Sequence, residues 1–153
     1  MIVYIKGDTT MKVSYKKLCP EAKVPTYGTE YSAGADLCTL DALEIAPGAT
    51  VLVHTGIAME IPEGYCGLVF ARSGLATKRG LAPANKVGVI DADYRGEIMI
   101  PLHNHTDVTA TVEAGERVAQ IALVPFLKAD FEECDSLSDT VRGLSGFGST
   151  GMK

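Results

Sequence analysis

Glycine, proline and asparagine interrupt the apolar segments of this chain at short, regular intervals. Up to residue 127 a turn residue follows about every 8 to 12 residues, and the segments between are short or alternate between apolar and polar side chains, as in all-β proteins. Turns are predicted at residues 47–48, 62–64 and 114–115. The strands are predicted at residues 11–18, 35–39, 50–54, 57–61, 64–70, 87–90, 98–103, 108–112 and 118–125. So many strands in a short chain favour a jelly-roll-like β-sandwich, which protects the edges of its sheets.

Length and composition indicate one soluble domain. The chain has 153 residues, of which 46% are hydrophobic and 22% are charged, and a chain of this size buries most of its apolar surface in a single domain. No apolar run approaches the roughly 20 residues of a membrane-spanning helix. The apolar residues that open the sequence fall short of the roughly 7 to 15 in a signal-peptide core. We therefore expect a cytoplasmic protein without a membrane partner.

Cysteine spacing and net charge narrow the function classes further. The four cysteines lie far apart, with no CxxC pair and no histidine at zinc spacing, which favours a reduced, cytoplasmic chain. The formal charge of −5 argues against a nucleic-acid partner, because DNA and RNA are bound largely through neutralisation of phosphates by Lys and Arg. A small anionic ligand is compatible with this charge where a few arginines converge.

One segment departs from the β pattern. Residues 73–80, SGLATKRG, predict a two-turn helix with Ser73 near its N-cap and Gly80 just past its end. Arg72 and Ser73 at a helix start suit an anion, because exposed amides and a bidentate guanidinium both bind phosphate. For this segment alone, an ordinary capped surface helix is the favoured interpretation.

The stretch NKVGVIDADYRGE, at residues 85–97, carries an unusual mixture of side chains. Its β-branched run predicts a buried strand, and Gly88 allows close approach of another group to the backbone. If the chain stays extended, Asp91 and Asp93 share one face while Tyr94 points the other way. An amide, two carboxylates and an aromatic ring in one place can bind a flat polar ring, position a water and cover a sugar.

From residue 128 onward the composition shifts to Asp, Glu, Ser and Gly, as in a flexible arm. Its last part, RGLSGFGSTG at residues 142–151, sets Arg142 and Phe147 among glycines and hydroxyls. Glycines let backbone amides close on a phosphate, and Phe147 can stack on a base. The lysine of a Walker A loop is missing. Composition alone leaves a flexible tail and a ligand clamp both open.

Two further motifs complete an ordered set. SAGADL places Asp36 after a glycine turn and GERVAQ brings Gln120 into a strand, although each alone fits an ordinary turn acid or strand glutamine. In the order AGADL, ARSGLA, NKVGVIDADYRGE, GERVAQ and RGLSGFGSTG, the chain resembles the trimeric dUTP pyrophosphatases (dUTPases) over about residues 11–151. The resemblance implies a β domain at residues 11–127 and a flexible C-terminal arm at residues 128–153. Residues 1–10 would be an extension of uncertain role.

The resemblance implies that this chain hydrolyses dUTP to dUMP and pyrophosphate. Asp91 would be the general base that activates a water for in-line attack on the α-phosphorus, with Asp93 as its rival on residue type alone. Tyr94 would pack on the deoxyribose, and Arg117 would be a structural ion-pair residue at a strand end. The uracil pocket would be formed by Asn85, Gly88, Val89 and Ile90. The phosphates and the closed arm would be held by Arg72, Ser73, Gly74, Gln120, Arg142, Phe147, Gly148, Ser149 and Thr150.

The resemblance also implies Mg²⁺ and a homotrimer. The metal would be carried mainly by the triphosphate, with Asp36, and Gln120 as a further contact, acting through water, since Mg²⁺ loses its water shell reluctantly. Three chains would share each active site, and the enzyme would limit uracil in DNA and supply dUMP.

Two alternatives stay open. A dCTP deaminase of similar fold would need a different arginine-serine motif and a glutamate for the deamination, and neither is found. A trimer that binds dUTP as a regulatory partner without turnover is less compatible with Asp91 and both arginines.

Overall fold

The structure is built almost entirely from antiparallel strands, as predicted. It is a computed structural model that describes residues 10–146, so residues 1–9 of the predicted extension and residues 147–153 of the predicted arm lie outside the described part. The strands are β1 (Ser14–Lys17), β2 (Thr26–Tyr27), β3 (Ala35–Cys38), β4 (Leu43–Ile45), β5 (Thr50–Glu60), β6 (Tyr65–Ala71), β7 (Leu81–Pro83), β8 (Gly88–Ile90), β9 (Glu97–Asn104), β10 (Ala110–Val112) and β11 (Arg117–Pro125). Between β6 and β7 lies the helix α1 (Ser73–Arg79).

Three sheets enclose one apolar core. A four-stranded sheet has the order β1-β5-β9-β7, a five-stranded sheet has the order β2-β3-β11-β6-β8, and β10 pairs with β4. Alternation along β9 illustrates the packing, because Ile98, Ile100 and Leu102 are buried while Met99 between them is exposed. Each such buried side chain contributes about 1.5 to 3 kcal/mol. Since all three sheets supply residues to this core, the jelly-roll-like β-sandwich is confirmed.

The strand β5 differs from the prediction of two strands at residues 50–54 and 57–61. Its register with β9 shifts between His54 and Ala58, and Gly56 stands there with a φ of 66°. This left-handed backbone favours glycine, and a β-bulge of this kind keeps the two halves in one strand. The glycine therefore marks a bulge, where the sequence pattern had indicated a break.

Other boundaries also shift. The first strand begins at Ser14 instead of residue 11, and β2, β4 and β7 were not predicted. These three strands have two or three residues each, which is too short to show an alternating pattern.

Helix α1 confirms the predicted helical segment, with Ser73 next to its N-cap. Arg72 occupies the N-cap with extended backbone and no side-chain cap, so Ser73 is the first helical residue. Gly80 ends the helix in the left-handed region at a φ of 61°, and its N–H donates to carbonyls of the last turn. Because Leu75 is buried, the helix packs on the core and leaves Arg72 and Ser73 at its open end.

After β11, residues 126–146 form no helix or strand. Large apolar side chains are exposed along this segment: Phe126, Leu127, Phe131, Leu137, Val141 and Leu144. A row of this kind is typical of a surface that contacts another chain. The arm boundary at residue 128 stays a prediction. No helix among the described residues is long and apolar enough to cross a bilayer.

Candidate functional site

A small cavity lies at the end of β8. It has a volume of about 230 Å³ and is lined by Leu52, Val89, Ile90, Asp91, Tyr94, Glu97 and Met99. Both predicted chemical groups of this stretch, the carboxylate of Asp91 and the ring of Tyr94, therefore line one space. We call it the Asp91 cavity.

The chain turns directly after Asp91, so the condition of an extended chain is not met. Residues 92 and 93 form a turn, and the N–H of Tyr94 donates to the carbonyl of Asp91 at 3.2 Å. Asp93 lines a different cavity of about 580 Å³, together with Lys12, Glu60 and Arg95 among others. The arrangement expected for an extended chain, with Asp91 and Asp93 on one face opposite Tyr94, is therefore not formed, because a turn does not preserve the two-residue alternation of a strand.

The turn that connects β7 to β8 brings Asn85 next to Gly88. A Cβ on Gly88 would lie 3.3 Å from Asn85 Nδ2 and 3.3 Å from Val69 Cβ, so glycine permits this close approach. Lys86, between them, has a φ of 65° and is the only non-glycine residue with positive φ in the described chain. Asn85 is exposed and does not line the Asp91 cavity. It precedes β8, whose residues Val89 and Ile90 do line that cavity.

The second group of predicted residues lines another cavity, of about 400 Å³. Its lining includes Asp36, Arg72, Ser73, Gly74, Arg117 and Gln120. We call it the arginine cavity. Strand β3 brings Asp36, β11 brings Gln120 and Arg117, and the start of α1 brings the rest. The structure thus brings together three elements that are distant in sequence.

Asp36 is the centre of the arginine cavity. It is 8% exposed, and its two oxygens accept hydrogen bonds from Arg72 Nε at 2.7 Å and from Arg117 Nη1 at 3.2 Å. Gln120 Nε2 donates to the carbonyl of Ala71 at 2.9 Å. Two guanidinium groups facing one carboxylate leave a net positive charge, and both keep further donors for an anion.

Arg117 is the cavity residue that the sequence reasoning assigned to structure alone. The predicted ion pair at a strand end is present, but its partner is Asp36, inside the cavity. The register between β11 and β3 shifts between Arg117 and Ala119, which brings Arg117 and Gln120 to the same cavity despite their odd spacing. The GERVAQ motif was the sequence signal that could have identified Arg117 as a cavity residue. Strict alternation along a strand, however, places its arginine and its glutamine on opposite faces.

Glu97 is a second residue that the sequence did not single out. Its carboxylate accepts hydrogen bonds from the N–H of Gly56 at 2.7 Å and is 2.8 Å from His54 Nδ1. Burial opposes ionisation, but the hydrogen bonds from His54 and Gly56 outweigh it and lower the pKa of Glu97. The charged form is therefore the one that holds the β5 bulge.

The Asp91 cavity and the arginine cavity share no lining residue. Ile90 pairs with Gly67 on β6, and Arg72 follows the other end of β6. Five residues at about 3.3 Å each place Arg72 roughly 17 Å from Gly67, and Asp91 continues in the opposite direction. One chain thus presents the two halves of the predicted site at separate places.

The predicted arm residues join neither cavity within the described part of the chain. Arg142 is exposed, and its Nε donates to the carbonyl of Ser145 at 2.9 Å. Phe147, Gly148, Ser149 and Thr150 lie outside the described residues.

Comparisons with known proteins match the chain to one family over most of its length. The dUTPase family model matches residues 20–151. The deoxyuridine 5'-triphosphate nucleotidohydrolase of Hydrogenobaculum sp. (strain Y04AAS1) is 49% identical over 144 residues, which cover 94% of this chain and 100% of the relative. The protein of the same name from Acinetobacter baumannii (strain ATCC 17978) is 47% identical over 150 residues, with 94% and 100% covered.

A solved structure matches the fold over nearly the same extent. The dUTPase of Staphylococcus bacteriophage 80alpha with dUPNHPP has a TM-score of 0.88 and 28% sequence identity, and the match covers 94% of this chain and 100% of that chain. The matched extent of the family model and the identity to the curated relatives lead to one conclusion: the chain belongs to the dUTPase family.

Proposed function

We propose that this chain hydrolyses dUTP to dUMP and pyrophosphate, and thereby limits uracil in DNA and supplies dUMP for dTMP synthesis. The observation that carries the proposal is the Asp91 cavity, where a carboxylate and an aromatic ring stand together at the end of a strand. Relatives are named deoxyuridine 5'-triphosphate nucleotidohydrolases, and the phage neighbour binds dUPNHPP, which supports dUTP as the substrate.

Uracil would pair with the backbone of Gly88, Val89 and Ile90, with Asn85 beside them. This assignment is supported by the place of β8 as the last strand of its sheet, because an edge strand has backbone donors and acceptors available on its outer side. Backbone groups have fixed positions, so a base with the wrong pattern leaves a buried group unpaired and is rejected. Tyr94, 40% exposed, would cover the deoxyribose.

Asp91 would act as the general base. It would accept a proton from a water whose oxygen attacks the α-phosphorus in line, while the bond from that phosphorus to the oxygen leading to the β-phosphate breaks and pyrophosphate leaves. Asp91 is preferred over Asp93 because it shares its cavity with Tyr94, whereas Asp93 lines another cavity. General-base action is worth about 10² to 10⁴ in rate, so phosphate positioning must supply most of the acceleration.

The arginine cavity would bind the triphosphate through Arg72, Ser73, Gly74 and Gln120. Its excess of guanidinium over carboxylate supports this role, because charge-assisted bidentate contacts suit phosphate oxygens. We add Arg117 to this set, since it lines the cavity and keeps free donors beyond its bond to Asp36.

Mg²⁺ fits this cavity as an ion that the substrate carries. Among the described residues, no three His, Cys, Asp or Glu side chains stand close enough to hold a metal. Asp36 accepts two hydrogen bonds, but a carboxylate has about four lone-pair sites, which leaves capacity for a metal-bound water. Asp36 and Gln120 would hold the ion through water, and the bound ion would neutralise phosphate charge.

The complete site would form between chains of a cytoplasmic homotrimer. The separation of the two cavities supports sharing, because neither cavity alone contains both the base and the phosphate ligands. The arm, residues 128–153, would leave the β domain of residues 11–127 and close on the triphosphate with Arg142 and residues 147–150. The exposed apolar residues of the arm support its packing on another chain.

The test is pyrophosphate release from dUTP, dCTP, dTTP and UTP, with and without Mg²⁺. Release from dUTP alone, stimulated by Mg²⁺, is the expected result. Ammonia from dCTP would indicate the deaminase, and dUTP binding without turnover would indicate the regulatory trimer; either result overturns the proposal.

A further inference from the structure

The ring of Tyr94 lies directly over Gly96. A Cβ on Gly96 would stand 2.6 Å from Tyr94 Cζ and 2.9 Å from Cε2, and it would also collide with Oη. These are distances that a real side chain does not reach, so only glycine leaves space for the ring in this position. Gly96 is therefore in contact with the aromatic residue that lines the Asp91 cavity.

The hydroxyl of Tyr94 is anchored at the same place. Its Oη donates to the carbonyl of Glu97 at 2.8 Å. Glu97 is itself fixed, because its carboxylate bonds to His54 and to the N–H of Gly56 in the β5 bulge. The ring is thus tied through Glu97 to two strands of the four-stranded sheet.

Hydrogen bonds also stabilise the turn that contains Tyr94. Arg95 Nη1 donates to the carbonyl of Ala92 at 2.6 Å and to that of Tyr94 at 3.1 Å. The N–H of Tyr94 bonds to the carbonyl of Asp91. These contacts fix the backbone of Tyr94. The ring can therefore move only by rotation about its side-chain torsions, and Gly96 and Glu97 restrict that rotation.

We propose that Gly96 and Glu97 form a seat for Tyr94 that sets the height of its ring over the Asp91 cavity and so determines sugar specificity. The inference rests on the proposed function, in which the ring covers a deoxyribose. A ring held at this height leaves no space for a 2′-hydroxyl, whereas a displaced ring admits one. Gly96 and Glu97 are positioning residues, because both act through Tyr94.

The variant Gly96→Ala tests the seat without threatening the fold. The three atoms nearest to the added methyl group all belong to the ring and hydroxyl of Tyr94, so we expect the ring to move rather than the backbone. Glu97→Ala removes the acceptor for the Gly56 amide and loosens the anchor. Glu97→Gln keeps a side-chain oxygen for that amide and should keep the wild-type sugar preference.

The measurement is the ratio of the dissociation constants for UMP and dUMP, determined by calorimetry on the full-length protein. We expect wild type to prefer dUMP, and Gly96→Ala to lower that preference about tenfold, the scale of a lost steric discrimination. Tyr94→Ala should lower it equally, and the double variant should lower it no further, because Gly96 acts only through the ring. Tyr94→Phe, which loses only the anchor bond, should fall between.

Three results would contradict this proposal. They are an unchanged preference for dUMP in Gly96→Ala, an equal further loss of preference when Gly96→Ala is added to Tyr94→Ala, and a wild-type protein that binds UMP and dUMP alike. Melting temperatures identify any variant that does not fold, and Tyr94→Phe then carries the test. Turnover of dUTP by wild type is assayed in parallel. Lack of turnover with an intact dUMP preference would contradict the proposed hydrolysis and leave the seat standing.

Discussion

Asp91 and Asp93 are alike in type and two residues apart, yet the turn between them sends their side chains to different cavities. We expect Asp91→Asn to lower kcat for dUTP by about 10² to 10⁴, the usual contribution of a general base. Asp93→Asn should stay near wild type, and it serves as the matched control in the same pyrophosphate assay. The reverse pattern would move the base to Asp93.

Arg117 gives a second test at the residue scale. Because it lines the arginine cavity, Arg117→Ala should lower kcat/KM for dUTP by roughly 10- to 100-fold, the equivalent of one charge-assisted hydrogen bond of about 1.5 to 3 kcal/mol. Affinity for dUMP should change little, since dUMP lacks the outer phosphates. A loss shared equally by dUTP and dUMP would point to a purely structural ion pair with Asp36.

Glu97 makes stability depend on pH. A lowered pKa in the folded state adds stability above the ordinary value of 4.5, and this stability is lost as pH falls through the folded-state value. The difference in free energy of unfolding between wild type and Glu97→Gln should therefore be full at neutral pH and shrink in acid. Urea unfolding at several pH values and one protein concentration measures it. A difference that is constant with pH would mean that the carboxylate charge contributes nothing.

Helix α1 is held at its C-terminal end by contacts of Arg79, which we call the Arg79 brace. Arg79 bonds to the carboxylate of Glu116 and to the carbonyl of Thr111, while Arg72 and Ser73 at the other end line the arginine cavity. Arg79→Ala should cost about 1 kcal/mol, as for a partly exposed ion pair, and should weaken dUTP turnover more than dUMP binding. Lys78, exposed on the same turn, is the control: Lys78→Ala should change neither. Equal effects of the two variants would rule out the Arg79 brace.

Most strands followed from alternation and turn residues, because burial on one face imposes a two-residue period. The differences arise where that period fails. A bulge at Gly56 joins two predicted strands, and a register shift beside Arg117 brings an unexpected arginine to Gln120. Neither shift can be predicted from one strand, since each depends on hydrogen bonds with a partner strand.

The candidate site shows the same limit. The sequence motifs contain most of its residues. They could be recognised because packing and turn formation do not require these polar side chains at strand ends and turns. Glu97 and Gly96 went unnoticed, since a strand glutamate and a turn glycine are ordinary in sequence. Their importance is visible only where Glu97 meets Gly56 and where the Tyr94 ring covers Gly96.

Each chain holds two proposed half-sites that do not meet. The proposed base lies in the Asp91 cavity, and the proposed phosphate ligands lie at the other end of β6 in the arginine cavity. A chain lacking either half can therefore be complemented only by another chain.

The most direct measurement mixes two inactive chains, Asp91→Asn and Arg72→Ala, under conditions of subunit exchange. Asp36 keeps Arg117 as a partner in the second chain, so its fold should survive. In mixed trimers some sites would take Asp91 from one chain and Arg72 from its neighbour, and dUTP hydrolysis should reappear although each variant alone is inactive. If the mixture remains inactive while exchange is verified by mass spectrometry, the two cavities do not form one site and the chains do not share it.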